Sequence, residues 1–226
     1  MTPAAAPRAQ SPLAPAGASS RAARVRRLGL ADYASTLAAM RAFTAGRDSG
    51  TRDELWLLEH PPVYTLGLGA DPAHGPPRDC AIPVVRVERG GQITYHGPGQ
   101  LVVYTLVDLA RRGIGVRDFV CLLEQCVIDL LAAHRVTAER KTGAPGVYAG
   151  GAKVAALGIR ITRGRALHGL ALNVDLDLAP FAAIDPCGYP GLPVTRTRDL
   201  GIAAGLDALG EALAAGILQG LEARNA

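Results

Sequence analysis

Residues 141–198 read KTGAPGVYAGGAKVAALGIRITRGRALHGLALNVDLDLAPFAAIDPCGYPGLPVTRTR, and the strand pattern of the chain is clearest in this stretch. Glycine-containing breaks at 150–151 and 163–165 interrupt runs that are rich in Val, Ile, Leu and Ala. A glycine pair between apolar runs favours a two-residue hairpin turn. We therefore predict a hairpin over 147–159 around Gly150-Gly151, then strands at 159–162 and 167–174, and a short helix at 178–184.

The rest of the chain continues the pattern of grouped strands with single helices between them. Asp32 is predicted to cap a helix that runs to about Ala45. Between 118 and 134 the apolar residues recur at helical spacing, which predicts a core-facing helix. Further strands are predicted at 53–59, 63–66, 84–88 and 101–108, and a last helix at 207–223. This grouping indicates an α/β protein of the α+β type, with a mixed β-sheet flanked by helices.

Length and composition restrict the class of protein further. The chain has 226 residues, of which 49% are apolar, which suits one domain over 23–226 after a disordered N-terminal tail at 1–22. Because no run of about 18 apolar residues occurs, no membrane span is expected. The net charge of +4 is too small to indicate nucleic-acid binding. With no signal peptide and four cysteines, a reducing cytoplasm is the expected location.

The basic residues are almost all arginine, and the exceptions are informative. Only Lys141 and Lys153 are lysines among 24 basic residues. Lysine can lose its proton when it is desolvated, whereas arginine cannot. Strand alternation places Lys153 on the face of Ala155, Leu157 and Ile159, so it is either an edge residue that reaches solvent or a desolvated functional group.

Cys187 is the cysteine that the sequence singles out. It lies between prolines and glycines in DPCGYPG, which is typical of a loop, so it is either an idle thiol or an accessible nucleophile. A nucleophilic thiol needs a nearby cation or base, for which Lys153, His96 and His168 are candidates. The spacing of Cys121 and Cys126 suits structural thiols, and no C-x-x-C pair exists, so no metal site is expected.

Small residues occur where a ligand could approach the backbone. His96 and His168 each lie beside a glycine, which either marks a turn or leaves backbone N–H groups free to hold a carbonyl oxygen. Ala156-Leu157-Gly158 and Gly169-Leu170-Ala171 lie on predicted neighbouring strands. Together they would leave room for a long, thin ligand.

Four motifs in order give the chain a family resemblance. RGGQITYHGPGQ at 89–100, GGAKVAALGIR at 150–160, HGLALNVDLD at 168–177 and PCGYPGL at 186–192 resemble the lipoyl(octanoyl) transferases, as does EHPPVYTLG at 59–67. The resemblance covers about residues 25–205. It implies the mixed α/β fold that this family shares with lipoate ligases and biotin protein ligases.

The resemblance also implies roles for individual residues. Cys187 would be the nucleophile that carries the acyl group as a thioester, and Lys153 would lower the pKa of that thiol and act as acid and base. The acyl-binding residues would be Arg89, Gly90, Gly91, Gln92, Ile93, Thr94, Tyr95, His96, Ala156, Leu157, Gly158, Gly169, Leu170 and Ala171. No ATP, metal or other cofactor would be needed.

The implied reaction moves an octanoyl group from octanoyl acyl carrier protein to a lysine. The acceptors would be the lipoyl domains of 2-oxoacid dehydrogenase complexes and the glycine cleavage H protein. Three alternatives stay open at this point: an ATP-dependent lipoate or biotin ligase, a Cys/His hydrolase that uses His96 or His168, and a non-catalytic module that binds a carrier protein.

Overall fold

The computed structural model describes residues 23–185 and 191–224. The predicted tail at 1–22 and the predicted nucleophile Cys187 therefore lie outside the described residues. Within them the order of helices and strands is β1 (Arg24–Leu30), α1 (Tyr33–Ala45), β2 (Glu54–Glu59), β3 (Val63–Leu66), β4 (Val84–Arg86), β5 (Ile93–His96), β6 (Gln100–Leu106), α2 (Leu109–Arg112), α3 (Val116–Ala133), β7 (Glu139–Lys141), β8 (Ala144–Ala149), β9 (Ala152–Thr162), β10 (Arg165–Asn173) and α4 (Leu206–Ala223).

A seven-stranded mixed sheet forms the centre of the molecule. Its strand order is β1-β2-β6-β10-β9-β8-β7, and β1 pairs parallel with β2 while the other neighbours pair antiparallel. The predicted mixed sheet flanked by helices is thus confirmed. The sequence did not predict β1. Its three arginines interrupt the alternation of apolar and polar residues that indicates a strand, and β1 lies at the edge of the sheet, where much of it is exposed.

Each face of this sheet is covered by different elements. On one face, α3 and α4 pack over the main apolar core, which includes Val103 and Leu172 of the sheet and Leu123 and Ile217 of the helices. On the other face, α1 packs over β2 and β6, and beside it lies a second sheet of order β4-β3-β5. The space between the two sheets is where a ligand could enter.

Most predicted elements have the expected type. Gly150 and Gly151 form the turn between β8 and β9 with φ of +57° and +84°, a conformation that glycine adopts without strain. Asp32 caps α1, with its side chain accepting from the Ser35 amide at 2.9 Å. The predicted helix at 178–184 is a 3₁₀ turn at Ala179–Ala183, and the predicted strand at 159–162 is the end of an unbroken β9.

A buried ion cluster holds the start of β2 against the end of β6. The Asp53 carboxylate is fully buried and accepts from Arg47, from Arg111 at 2.8 Å, from Arg112 at 2.6 Å and from the Asp108 amide at 2.9 Å. Burial by itself would raise the pKa of Asp53, but these hydrogen bonds hold it below its ordinary value. The carboxylate therefore stays charged and connects three segments of chain.

Candidate functional site

A cavity lies between the large sheet and the segment 89–96. Its empty volume is about 770 Å³, including solvent at its mouth, which is within the range of about 300–1,000 Å³ typical of small-molecule sites. Strands β6, β10 and β9 form its floor, and Arg89, Tyr33 and the residues Gly91–Thr94 border it from the opposite side.

The strand register orders the floor into three rows. At one end lie Asn173 and Gln100, which are register partners, with Lys153 on β9 beside them. The middle row is Ala156, Ala171 and Val102, and the last row is Gly158, Gly169 and Tyr104. Because alanine and glycine occupy both central strands, the floor is a trough that runs from Lys153 towards Gly158.

Most of the predicted acyl-binding residues border this one cavity. They are Arg89, Gly91, Gln92, Ile93, Thr94, His96, Ala156, Leu157, Gly158, Gly169, Leu170 and Ala171, joined by Lys153. Gly90 and Tyr95 are not among the residues that border it. The Gly90 amide donates to Ile159 O at 2.9 Å, and the Tyr95 ring packs against Tyr64 and Phe181 in a separate apolar cluster.

A β-bulge decides where Lys153 points. Tyr148 is opposite Lys153 and Val147 is opposite Ala155, so Val154 is an extra residue in β9. Val154 and Ala155 both pack in the helix-side core, whereas Lys153 borders the cavity. The prediction that Lys153 and Ala155 lie on the same face of the sheet is therefore wrong, because the bulge shifts the alternation of side chains by one residue.

Lys153 is a buried lysine inside the sheet, only 4% exposed, so the alternative of an edge residue that reaches solvent is excluded. Its ammonium donates to Pro145 O at 3.2 Å and lies 5.2 Å from the centre of the Tyr148 ring. The Lys153 side chain has room to pass here because residue 146 is glycine. A Cβ at Gly146 would lie 3.1 Å from Lys153 Cε and 2.7 Å from Ala155 O. The ammonium is thus held by β8, and the residue as a whole borders the cavity.

The chain that follows the Cys187 segment is bonded to the Lys153 backbone. The Lys153 amide donates to Pro193 O at 2.8 Å, and the Thr195 amide donates to Lys153 O at 2.9 Å. Asn173 at the end of β10 donates to Thr195 O at 2.9 Å. Residues 193–195 therefore take the place beside β9 that β10 leaves when it ends.

The chain that precedes this segment is also held. The Asp185 amide donates to His74 O at 3.2 Å, and His74 Nδ1 lies 2.7 Å from Asp185 Oδ2. The described residues on both sides of 186–190 are thus held by hydrogen bonds to other parts of the chain. Cys187 itself lies outside the described residues, so its distance from Lys153 stays a prediction.

His96 belongs to a buried polar network at the Lys153 end of the trough. Its Nδ1 donates to Gln100 Oε1 at 2.7 Å, and Gln100 Nε2 donates to Asn173 Oδ1 at 2.9 Å. Burial, helped by the nearby His60, lowers the pKa of His96 to about 3, although the hydrogen bond that His96 donates to Gln100 acts in the opposite direction. The imidazole is therefore neutral and already bonded at pH 7.

Several residues that border the cavity were not predicted. Tyr104 donates to His60 Nε2 at 2.7 Å, and His60 Nδ1 donates to Ala31 O at 2.7 Å. Gln100 and Asn173 could have been identified from the sequence, because each is a polar residue in an otherwise apolar strand. Tyr33 and Tyr104 could not have been identified in this way, since aromatic residues are common in apolar strands and helices.

His168 does not lie in a turn, which was one of its two predicted settings. It is inside β10, opposite Ile159, and its ring borders the cavity. Burial lowers its pKa to about 4, so this imidazole is also neutral at pH 7. Across the described part of the chain, no group of three or more His, Cys, Asp or Glu side chains could hold a metal ion, and no helix is both long and apolar enough to cross a membrane.

The sequence matches one protein-family model and many curated proteins. Residues 32–217 match the lipoyl protein ligase A/B catalytic domain. A protein named octanoyltransferase from Aromatoleum aromaticum is 60% identical over 202 residues, which cover 89% of this chain and 87% of that protein. Another octanoyltransferase, from Dechloromonas aromatica, is 56% identical over 201 residues, covering 89% and 98% of the two chains.

Solved structures show the same fold at much lower identity. A putative lipoate protein ligase from T. acidophilum with bound lipoic acid superposes with a TM-score of 0.72 at 19% identity, covering 88% of this chain and 86% of that one. Biotin protein ligase from Aquifex aeolicus superposes with a TM-score of 0.54 at 12% identity, covering 88% and 69%. The predicted fold relationship is confirmed.

Proposed function

This chain belongs to the lipoyl protein ligase A/B catalytic-domain family and is an acyltransferase, and from this premise we propose that it moves an octanoyl group from octanoyl acyl carrier protein to the target lysine of lipoyl domains. The observation that supports this most strongly is the position of Lys153. This residue borders one end of a trough of small residues whose other end is bordered by Gly158 and Gly169. An acyl chain fits such a trough with its carbonyl carbon at Lys153.

The walls of the trough suit an apolar chain. Ala156, Ala171 and Val102 form its middle row, and Ile93 borders it as well. Burying a methylene group stabilises a complex by about 0.8 kcal/mol, so the six methylenes of an octanoyl group supply roughly 5 kcal/mol of binding free energy. This energy is large enough to select a chain length.

The first proposed step forms an acyl-enzyme. The Cys187 thiolate attacks the thioester carbonyl of octanoyl acyl carrier protein, forms a new C–S bond and breaks the C–S bond to the carrier. Lys153 stabilises the thiolate as an ammonium ion and then gives its proton to the leaving carrier thiolate. Residues 193–195 support this arrangement, because they connect the Cys187 segment to the Lys153 backbone.

The second proposed step makes the amide. The ε-amino group of the acceptor lysine attacks the enzyme thioester, a C–N bond forms, and the C–S bond to Cys187 breaks. The now neutral Lys153 takes the proton that the amine loses, which restores the starting state. Each cycle converts one thioester and one amine into one thiol and one amide, so no ATP, metal or other cofactor is consumed.

The ligase alternative makes the opposite prediction about ATP. We expect the protein to modify an apo lipoyl domain with octanoyl acyl carrier protein in the absence of ATP, and to leave the domain unmodified when given free octanoate with ATP and Mg²⁺. The measurement is the mass of the lipoyl domain, with its acceptor lysine replaced by arginine as the control. Modification from free octanoate, but not from the carrier, would contradict the proposal and support a ligase.

A Cys/His hydrolase is disfavoured by the state of both histidines. His96 is bonded through Nδ1 to Gln100, and its pKa is lowered to about 3. Burial lowers the pKa of His168 to about 4, and the register places it at the opposite end of the trough from Lys153. Neither group is matched to accept a thiol proton near pH 7, since an effective base has a pKa near the working pH.

The middle row of the trough allows a test of where the acyl chain lies. Replacing Ala156 with leucine adds three carbon atoms opposite Ala171. We expect kcat/KM for octanoyl transfer to fall about 10- to 100-fold, because overpacking costs about 1–3 kcal/mol. Transfer of a butanoyl group, which ends before this row, is the internal control. An equal fall for both chain lengths would contradict the placement.

The proposed partners follow from the reaction. The donor is octanoyl acyl carrier protein, and the acceptors are the lipoyl domains of 2-oxoacid dehydrogenase complexes and the glycine cleavage H protein. The net charge of +4 suits acidic partner proteins. We place the reaction in the cytoplasm, where a reduced Cys187 thiol would persist.

A further inference from the structure

His168 has a backbone conformation that is uncommon for a residue other than glycine. Its φ is +63° within β10, in the left-handed region that few non-glycine residues occupy. The Thr105 hydroxyl donates to His168 O at 3.1 Å, and a Cβ on the next residue, Gly169, would lie 2.1 Å from Val103 O. Strained residues that the surrounding structure enforces in this way are concentrated at ligand sites.

The His168 side chain has an unsatisfied polar atom. The residue is 2% exposed, and Nε2 has no hydrogen-bond partner among residues 23–185 and 191–224. The ring borders the cavity and meets the Tyr104 ring edge-on, with centroids 6.0 Å apart. Buried polar atoms are nearly always hydrogen-bonded, so an exception of this kind needs an explanation.

The position of His168 in the trough suggests which part of a ligand would reach it. The inference rests on the proposed function, in which the acyl carbonyl carbon lies beside Lys153. From Asn173 to Gly169 the floor covers four residues of β10, or about 13 Å at 3.3 Å per residue. His168 directly precedes Gly169 on β10, so it lies at the far end from Lys153, where the distal carbons of a medium-length acyl chain would be.

We propose that His168 forms a polar subsite at the distal end of the acyl cavity, where Nε2 hydrogen-bonds a hydroxyl group carried near the end of a medium-chain acyl group. A neutral imidazole suits an uncharged partner better than a carboxylate. A hydroxyl group can donate or accept, so it matches Nε2 in either tautomer. The cavity would then accept distally hydroxylated chains as well as plain octanoyl.

The test compares two donors, octanoyl and 8-hydroxyoctanoyl acyl carrier protein, with the wild-type protein and with His168→Phe. Phenylalanine keeps a flat ring and removes both nitrogens. We expect the wild-type kcat/KM values for the two donors to agree within about threefold. In His168→Phe, kcat/KM for the hydroxylated donor is expected to fall about 10- to 100-fold relative to kcat/KM for octanoyl, because an apolar site rejects an added hydroxyl by roughly this factor.

A second comparison needs no variant, so it is decisive even if His168→Phe does not fold. With the wild-type protein, 6-hydroxyoctanoyl places its hydroxyl group short of His168, nearer the alanines of the middle row. It is expected to be transferred at least about tenfold more slowly than 8-hydroxyoctanoyl. Equal discrimination against both hydroxylated donors, or an unchanged donor ratio in His168→Phe, would overturn the subsite. Failure of the wild-type protein to transfer octanoyl would instead overturn the proposed function.

Discussion

Replacing Lys153 with methionine is expected to lower kcat for octanoyl transfer by about 10²- to 10⁴-fold, the usual contribution of a positioned acid or base. Methionine keeps an unbranched side chain beside Gly146 as far as Cε, and it removes the ammonium group with its charge and its protons. Lys153→Arg keeps the charge but cannot release a proton, so it is also expected to lose the proton transfers of both steps. The measurement is the rate at which the mass of an apo lipoyl domain increases.

Lys141 provides a matched control for Lys153. It is the other lysine of the chain, its ammonium lies 4.5 Å from the centre of the same Tyr148 ring, and it donates to Gly151 O at 3.0 Å. It does not border the cavity. Lys141→Met is therefore expected to change kcat by less than about threefold. Equal losses in the two variants would mean that the ring contact, not the proton transfer, explains the effect.

Replacing Cys187 with serine is expected to reduce transfer by at least about 10³-fold, because removal of a covalent nucleophile leaves only the contribution of substrate binding and orientation. A serine hydroxyl ionises far less readily than a thiol, so Lys153 cannot make it an equivalent nucleophile. The measurement is again the modified fraction of an apo lipoyl domain, at matched enzyme concentrations.

Cys80 is a suitable control for this substitution. It is half-buried beside the apolar cluster of Tyr64 and Phe181, and it does not border the cavity. Cys80→Ser is expected to retain transfer within about threefold. If Cys187→Ser retained transfer as well, the acceptor lysine would attack the carrier thioester directly, and the two-step mechanism would be wrong.

The parts of the fold with a periodic or glycine signal could be predicted from the sequence. The β8–β9 turn at Gly150-Gly151, the helix after Asp32 and the apolar strands all follow from such signals. The alanines and glycines of β9 and β10 predicted a narrow space, and the register brings Ala156 opposite Ala171 and Gly158 opposite Gly169. These features are local, so spacing alone determines them.

The features that were missed depend on single residues or on tertiary contacts. One extra residue, Val154, reverses the face on which Lys153 lies, and a one-residue bulge leaves no mark in composition. Burial of Lys153 depends on Gly146 from the neighbouring strand and on residues 193–195, which are distant in sequence. The left-handed conformation of His168 is likewise enforced by β6, which the local sequence of β10 cannot show.

The most direct test of the two-step mechanism is the intact mass of the protein after mixing with octanoyl acyl carrier protein and no acceptor. We predict an added mass of one octanoyl group that is absent in Cys187→Ser, slow to form in Lys153→Met and removed when an apo lipoyl domain is added. Transfer to the lipoyl domain without any such adduct on the protein would contradict the acyl-enzyme.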